Sequence, residues 1–322
     1  SHLDFDSVYQ FGKQVDVLTF EIESINIEAL KRLKSEGLKI LPDPEILALI
    51  QDKGLQKDFY KKNGISTAAY NCYESERDIL NIVEKGEIGF PFVQKLRKGG
   101  YDGRGVAVIN DSSEAEKILP GASVVEEKIE IAKEIAVITA RNKKGEIKSY
   151  PVVEMLFDPQ ANLVDKLICP SSITVEQSEK AVGLAEEIIE LLNMEGLLAV
   201  EFFIDSKGEV IVNEVAPRPH NSGHHTIESI ITSQFEQHLR AILNLPLGST
   251  KLKLPSVMIN ILGADGCEGE VVYEGLTESM AIDGVKIHLY GKKITKPYRK
   301  MGHATVLSSS LESALKKSEK VK

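Results

Sequence analysis

Two β-rich runs, L-L-A-V-E-F-F-I (197–204) and E-V-I-V-N-E-V-A (209–216), are joined by only Asp-Ser-Lys-Gly. Runs dense in β-branched and aromatic residues with such a turn between them fold as an antiparallel hairpin. With Ser206 and Lys207 at the turn centre, Phe203 and Gly208 become near neighbours, and Glu201 and Glu214 lie a few residues apart across the ladder. Two carboxylates and the Asn213 amide facing one space repel unless a cation sits between them. Hard oxygen donors suit Mg²⁺, which takes one or two carboxylates plus substrate phosphates. A lone strand glutamate is ordinarily a solvated residue. Here the pair is followed at once by A-P-R-P-H-N-S-G-H (216–224), in which two prolines hold the chain extended and Arg218, His220 and Asn221 offer donors to a small anion.

The chain of 322 residues is long enough for two or three domains and a substantial core. A net charge of -9 argues against a general binder of nucleic acid or membrane surfaces, so any anion must be held by a local cationic cluster. Cys72, Cys169 and Cys267 are far apart with no C-x-x-C pair, which suggests neither a zinc site nor a disulfide framework and fits a reducing cytoplasm. No apolar run reaches the length of a membrane span, and the amino terminus has no signal-peptide pattern.

Residues 15–41 read as strand, helix, strand, with Asn26 as helix cap and Gly37 as stop, a βαβ fragment of a parallel sheet. Helices are expected over 43–50 and 53–63, ending at Gly64. From Tyr70 the pattern predicts a helix, the strand F-P-F-V-Q-K, a glycine-rich loop, the strand G-V-A-V-I and further strands at A-S-V-V-E-E-K-I and E-I-A-V-I-T-A-R. The turn N-K-K-G-E then leads into K-S-Y-P-V-V-E. An amphipathic helix is expected over 177–193, a second over 229–243, and a strand-rich part from Lys251 closing in a Lys-rich helix from Ser310.

Three further motifs carry chemistry. In Q-K-L-R-K-G-G-Y-D-G-R-G-V (94–106), four glycines let backbone N–H groups approach phosphate oxygens while Lys95 supplies a point charge. A flexible surface hairpin is the bland reading of this loop, but its place upstream of the paired carboxylates gives a phosphate both a cationic cover and a metal beneath. V-V-E-E-K-I (124–129) puts Glu126 and Glu127 at a strand end, where they either read an adenine and its ribose or mark a strand leaving the core. K-K-I-T-K-P-Y-R-K-M-G-H (292–303) concentrates basic residues in an acidic chain and reads as a second phosphate site or a solvated face.

Taken together, D-V-L-T-F-E-I-E (16–23), Q-D-K-G-L-Q-K (51–57), K-L-R-K-G-G-Y-D-G-R-G (95–105), V-V-E-E-K-I (124–129), A-V-E-F-F (199–203), N-E-V-A-P-R-P-H-N-S-G-H (213–224), S-Q-F-E-Q-H-L-R-A (233–241) and R-K-M-G-H (299–303) resemble the 5-(carboxyamino)imidazole ribonucleotide synthases, ATP-grasp ligases of purine biosynthesis. The resemblance implies an α/β chain of α+β ATP-grasp type: an incomplete Rossmann-like N-terminal domain (1–66), a central ATP-grasp domain (67–250) and a small β-rich C-terminal domain (251–322). It implies ATP-dependent carboxylation of 5-aminoimidazole ribonucleotide by bicarbonate through carboxyphosphate, with ATP and Mg²⁺, in a cytoplasmic homodimer. Carried over by position, Lys53, Lys95 and the loop Gly100, Tyr101, Asp102, Gly103, Arg104, Gly105 and Val106 would hold ATP phosphates. Glu126, Glu127, Lys128, Ile129 and Glu134 would hold adenine and ribose. Glu201 and Glu214, assisted by Asn213, would bind Mg²⁺, and Arg218, His220 and Asn221 would position bicarbonate and carboxyphosphate. Tyr101, Asp102 and Arg104, with Lys293, Arg299 and Lys300, would hold the ribonucleotide, which Glu21 and Glu23 would reach from the first domain.

The chain departs from the family pattern in two places. The family begins with a strand and a G-G-G-Q-L-G-type turn, neither of which precedes Asp16, so the natural start is expected to be missing here. Lys53 stands where the family often has Arg. Two other readings of the motifs are an ATP-grasp ligase acting on another carboxylate and amine, and a nucleotide-binding module without turnover.

Overall fold

The computed structural model describes residues 1–100, 105–158 and 163–321. At its amino end, the Asn26 side chain accepts from the Ala29 N–H and starts helix Ile27–Ser35, and Gly37 ends the turn at φ +96°. That helix connects strands Val17–Leu18 and Lys39–Ile40, which pair in parallel as the βαβ reading requires. Leu18, Phe20, Ala29, Leu30, Leu33, Ile40 and Leu47 form the core of this layer. Two more helices follow, Pro44–Gln51 capped by Asp43 and Lys53–Lys62 capped by Asp52.

A four-stranded antiparallel sheet comes next, in the order Tyr70–Tyr73, Ser123–Glu127, Phe92–Leu96, Val106–Ile109, backed by helix Glu76–Glu84. The sequence pattern placed a helix directly after Tyr70, but Tyr70–Tyr73 is a strand. Its backbone pairs with Ser123–Glu127, fifty residues away in sequence, a partnership that local propensity does not report.

The second sheet is large and antiparallel. Its order is Val210–Ala216, Gly196–Asp205, Ile131–Arg141, Val153–Asp158, Leu163–Cys169, Ser256–Leu262, Lys300–Leu307, Val285–Leu289, with Ile147–Ser149 beside Ile131–Arg141. The strand Leu163–Cys169 had no sequence signal strong enough to mark it. It pairs with Ser256–Leu262 and so joins the carboxy-terminal strands to the same sheet. Helix Val175–Leu191 lies against one face of the sheet, held at its start by a reciprocal pair of bonds between Thr174 and Gln177. Its Ala181, Ala185, Ile188 and Ile189 pack with Ile135, Val137, Val200 and Phe202.

Two sequence expectations fail in this region. The segment 229–243 is not one helix: a short helix, Thr226–Ser229, ends where the expected one begins, Ile230 turns extended and bridges to Leu252, and Ser233 caps a new helix, Gln234–Ile242. The hairpin register also differs from a count outward from the turn. Phe203 lies opposite Ile211 rather than near Gly208, Phe202 opposite Val212, and Glu201 directly opposite Glu214, which leaves Asn213 as an extra residue in the returning strand. That β-bulge shifts every pairing beyond it by one.

Phe202 is fully buried between the large sheet and helix Val175–Leu191. Phe202→Ala is expected to destabilise the chain by about 3–5 kcal/mol. Urea unfolding followed by circular dichroism measures this, and a loss near zero would show that the hairpin does not depend on that contact.

Candidate active site

The bulge at Asn213 decides the chemistry of the hairpin. In a regular strand neighbouring side chains alternate between faces, so Asn213 and Glu214 would point apart. The extra residue lets both address the same space. Lys95 Nζ donates to Asn213 Oδ1 at 2.9 Å, and Lys53 forms an ion pair with Glu214. Glu201, directly across the ladder from Glu214, lies 3.5 Å from His220 Nε2. Burial and the neighbouring Glu214 push the Glu201 carboxyl up, whereas the Lys53 ammonium holds Glu214 down. Among the described residues no three His, Cys, Asp or Glu side chains converge as a self-sufficient metal cage. Two carboxylates and an amide oxygen instead fit a Mg²⁺ ion that completes its shell with phosphate oxygens and water.

Three lysines from two elements, Lys53 and Lys57 of one helix and Lys95 of a strand, form a cationic layer beside these groups. Glu126, itself buried, lies 3.1 Å from Lys57 and 2.9 Å from Lys95. The two ammonium groups lower its pKa against the effect of burial. Lys57 is pulled down to about 8 by burial, with Glu126 opposing the shift, and its ammonium donates to Thr67 Oγ1, which in turn donates to the Val212 carbonyl at 2.8 Å. One step further out, Arg97 grips Asp52 through two bonds of 2.9 and 3.0 Å, tying the cap of helix Lys53–Lys62 to the end of strand Phe92–Leu96. Lys57, Thr67, Asp52 and Arg97 had no role assigned from the sequence. Lys57 lies one helical turn after Lys53 in Q-D-K-G-L-Q-K, and that spacing was the available signal.

Arg218, His220 and Asn221 follow the carboxylates in sequence and line the adjoining space. Arg218 Nη2 meets Glu23 Oε1 at 3.1 Å, which brings Glu23 of the first domain to the site, and burial raises the Glu23 pKa against the pull of Arg218. Burial drives His220 down to about 3, with Arg218 and Lys300 adding to the effect, so its ring is neutral. His220 Nδ1 lies 2.9 Å from Ser222 Oγ and 3.3 Å from the Ser222 backbone N–H; in the tautomer in which Nδ1 accepts from both, the ring proton is on Nε2, the atom that faces Glu201. Asn221 and Asn260 exchange two amide bonds of 2.9 and 3.0 Å, and Asn260 also donates to the Val164 carbonyl at 2.7 Å. Asn260, which the sequence reading passed over, therefore fixes which end of the Asn221 amide carries hydrogens.

The remaining candidates are placed as follows. Glu134 lies on the same sheet face as Glu201, opposite Phe203, and lines a cavity of about 590 Å³ with Met155 and Phe157; burial raises its carboxyl to about 7, with Lys95 opposing the shift. Glu127 and Lys128 are exposed at the strand end, followed by Ile129, and the Glu127 N–H is taken by the Ala69 carbonyl. Gly105 accepts from the Leu96 N–H at φ +74°, Gly100 precedes the loop, and Val106 pairs with Lys95. Lys300 acts electrostatically on His220 and His224, which brings it to the anion side of the site. Lys293 is exposed, and Arg299 donates to the Ile294 carbonyl at 2.6 Å, so neither is joined to the carboxylates. Glu21 is exposed near Tyr290. Tyr101, Asp102, Gly103 and Arg104 lie outside the described residues.

Comparison with known proteins bears on this arrangement. Family models match along the chain: a ribonucleotide synthetase preATP-grasp domain at 1–51, an ATP-grasp domain at 58–235 and a phosphoribosylaminoimidazole carboxylase C-terminal domain at 256–317. The chain is 39% identical over 318 residues to phosphoribosylaminoimidazole carboxylase of Ogataea methanolica, covering 96% of this chain and 58% of the relative. It thus spans little more than half the length of that curated relative, and the same holds for those from Saccharomyces cerevisiae and Candida albicans. Among solved structures, N5-carboxyaminoimidazole ribonucleotide synthetase from Thermotoga maritima superposes with a TM-score of 0.90 at 46% identity, covering 99% of this chain and 84% of that one. N5-carboxyaminoimidazole synthase from Aspergillus clavatus, solved with ADP and 5-aminoimidazole ribonucleotide, superposes at 0.89 with 30% identity, covering 100% and 84%. With an ATP-grasp model spanning more than half its length and a solved relative of 46% identity matched along nearly all of it, the chain belongs to the N5-carboxyaminoimidazole ribonucleotide synthetase family of ATP-grasp proteins.

Proposed function

We propose that this chain carboxylates 5-aminoimidazole ribonucleotide with bicarbonate at the expense of ATP, giving N5-carboxyaminoimidazole ribonucleotide, ADP and phosphate. One observation carries the reading: the bulged hairpin sets metal-type oxygen donors, Asn213, Glu214 and Glu201, beside a separate donor set for a small anion, Arg218, His220 and Asn221. The ADP and 5-aminoimidazole ribonucleotide bound by the Aspergillus clavatus relative support the nucleotide and ribonucleotide parts of this reading.

In this mechanism Lys95 and Lys53 face the nucleotide phosphates. Glu214, with Glu201 and Asn213, would hold a Mg²⁺ ion, and Lys53, now paired with Glu214, would then turn its ammonium to a phosphate oxygen. When bound, the metal supplies neutralisation of the charge on the transferring phosphoryl group. Arg218 presents a planar fork to bicarbonate, the neutral His220 donates through Nε2–H, and Asn221, with its amide end set by Asn260, donates a further N–H. None of these donors takes a proton from bicarbonate. They hold one of its oxygens toward the γ-phosphorus, where a P–O bond forms as the bond to ADP breaks. Carboxyphosphate then loses phosphate to give CO₂, and the exocyclic amine of the ribonucleotide attacks that carbon and releases one proton. Lys300, on the anion side, would meet the ribonucleotide, with Glu23 beside Arg218. Tyr101, Asp102 and Arg104 are assigned to the ribonucleotide on family pattern alone. The same pattern supports a cytoplasmic homodimer, which sedimentation of the purified chain would test.

ATP turnover is expected only when 5-aminoimidazole ribonucleotide and bicarbonate are both present; equal ADP release with glycinamide ribonucleotide and formate would sink the assignment. Glu214→Gln should lower kcat by about a hundredfold or more while circular dichroism stays unchanged. An unaltered rate would remove Glu214 from the metal site. Arg218→Lys, which keeps the charge and loses the fork, should raise KM for bicarbonate about tenfold with KM for ATP held within about twofold. A joint rise in both constants would contradict separate nucleotide and anion pockets.

A further inference from the structure

Gln234, at the start of helix Gln234–Ile242, is fully buried and reaches back to the anion pocket. Its Oε1 accepts the His220 N–H at 2.8 Å, and its Nε2 donates to the His220 carbonyl at 2.8 Å and lies 3.0 Å from His224 Nδ1. A backbone N–H only donates and a backbone carbonyl only accepts, so the two ends of this amide are identified without ambiguity. The second hydrogen on Nε2 then points to His224 Nδ1, which must accept it, and the His224 proton is on Nε2. Both hydrogens of the carboxamide nitrogen are thus engaged, and its oxygen holds the His220 N–H.

The surroundings hold Gln234 in that pose. Its backbone N–H donates to Thr226 Oγ1 at 2.9 Å, and Thr226 Oγ1 donates to the Gly223 carbonyl. A Cβ on Gly223 would stand 2.4 Å from Gln234 Oε1 and 2.3 Å from Ile138 Cδ1, so the absence of a side chain at 223 is what admits the amide. His224 in turn lies 5.0 Å from His303, 5.9 Å from Phe235 and 6.4 Å from Tyr290, measured between ring centres. Tyr290 and His303 share a hydrogen bond of 3.0 Å, and His288, stacked 4.6 Å from His303, bonds Glu228. The charged or titratable groups that act on His224 are Lys300, His225, His288 and Arg218, and with burial they bring it down to about 4.

We propose that Gln234 is a positioning residue for the small-anion pocket: its carboxamide pins the backbone of His220 on both sides and sets the tautomer of His224, thereby fixing where the His220 ring stands beside Glu201 at the edge of that pocket. The inference rests on the bicarbonate reading of the pocket. It adds a residue that touches no substrate and works through the two histidines.

The decisive variant is Gln234→Glu. A carboxylate still accepts from the His220 N–H, but it has no hydrogen for the His220 carbonyl or for His224 Nδ1. The bond to His224 survives only if Nδ1 of that ring carries a proton, either by a change of tautomer or by uptake of a second proton. Nitrogen-15 NMR of histidine-labelled full chain is expected to show His224 neutral with its proton on Nε2 in the unaltered protein near neutral pH, and with a proton on Nδ1 in Gln234→Glu. In steady-state kinetics Gln234→Glu should raise KM for bicarbonate about tenfold or more while KM for ATP stays within about twofold. A proton on Nδ1 of His224 in the unaltered chain overturns the proposal, and so does an equal rise in both Michaelis constants. If Gln234→Glu does not fold, the tautomer measured in the unaltered chain still decides. A chain whose ATP turnover ignores bicarbonate would sink the bicarbonate reading while leaving the tautomer measurement to judge Gln234 alone.

Discussion

Carboxylates that face one another away from water need positive charge between or beside them, and much of this site is arranged around that need. Glu201 and Glu214 are direct cross-strand partners, and no alternation of faces separates them. Lys53 answers Glu214, and Lys95 and Lys57 answer Glu126. Glu201 meets the neutral His220, and burial beside Glu214 raises its pKa against the pull of Lys53. The helix that carries Lys53 and Lys57, the strand that carries Lys95 and the hairpin that carries the carboxylates are thus held together by the charges they would present to a nucleotide.

This arrangement also explains why the first layer, the small sheet and the large sheet meet where they do. Arg97 on the loop after strand Phe92–Leu96 grips Asp52, which caps the lysine helix, and Thr67 bonds Val212 on the hairpin. Glu23 reaches across to Arg218. Each link couples a neighbouring element to the hairpin or to the lysines that serve it, so the polar contacts between layers and the site chemistry draw on the same residues.

Much of this was legible in the sequence, for identifiable reasons. The βαβ start was marked by Asn26 and Gly37, the hairpin by its turn and β-branched runs, and the metal and anion groups by their crowding into 213–221. The bulge was not legible, because an extra residue in a ladder depends on the pairing of both strands and leaves no mark in the composition of either. Strand Tyr70–Tyr73 escaped because its partner is distant, and the break at Ile230 because extended backbone there depends on a bridge to Leu252. Lys57, Asn260 and Gln234 were missed because ordinary side chains acquire a role only from what the fold sets opposite them.

The pairing of Leu163–Cys169 with Ser256–Leu262 has a mechanical meaning. Asn260 sits on one of these strands and bonds the carbonyl of Val164 on the other, and the same Asn260 orients Asn221. Asn221, beyond the end of the hairpin strand, is thus tied by side-chain bonds to the same sheet that carries the Glu201 and Glu214 carboxylates. The small sheet bearing Lys95 is built on a separate ladder, and Lys95 meets the large sheet through its hydrogen bond to Asn213. The two carboxylates are therefore spaced by the ladder of the large sheet itself, whereas Lys95 reaches them from a different sheet, so a shift of one sheet against the other would alter the distance from Lys95 to the carboxylates and leave the spacing of Glu201 and Glu214 unchanged.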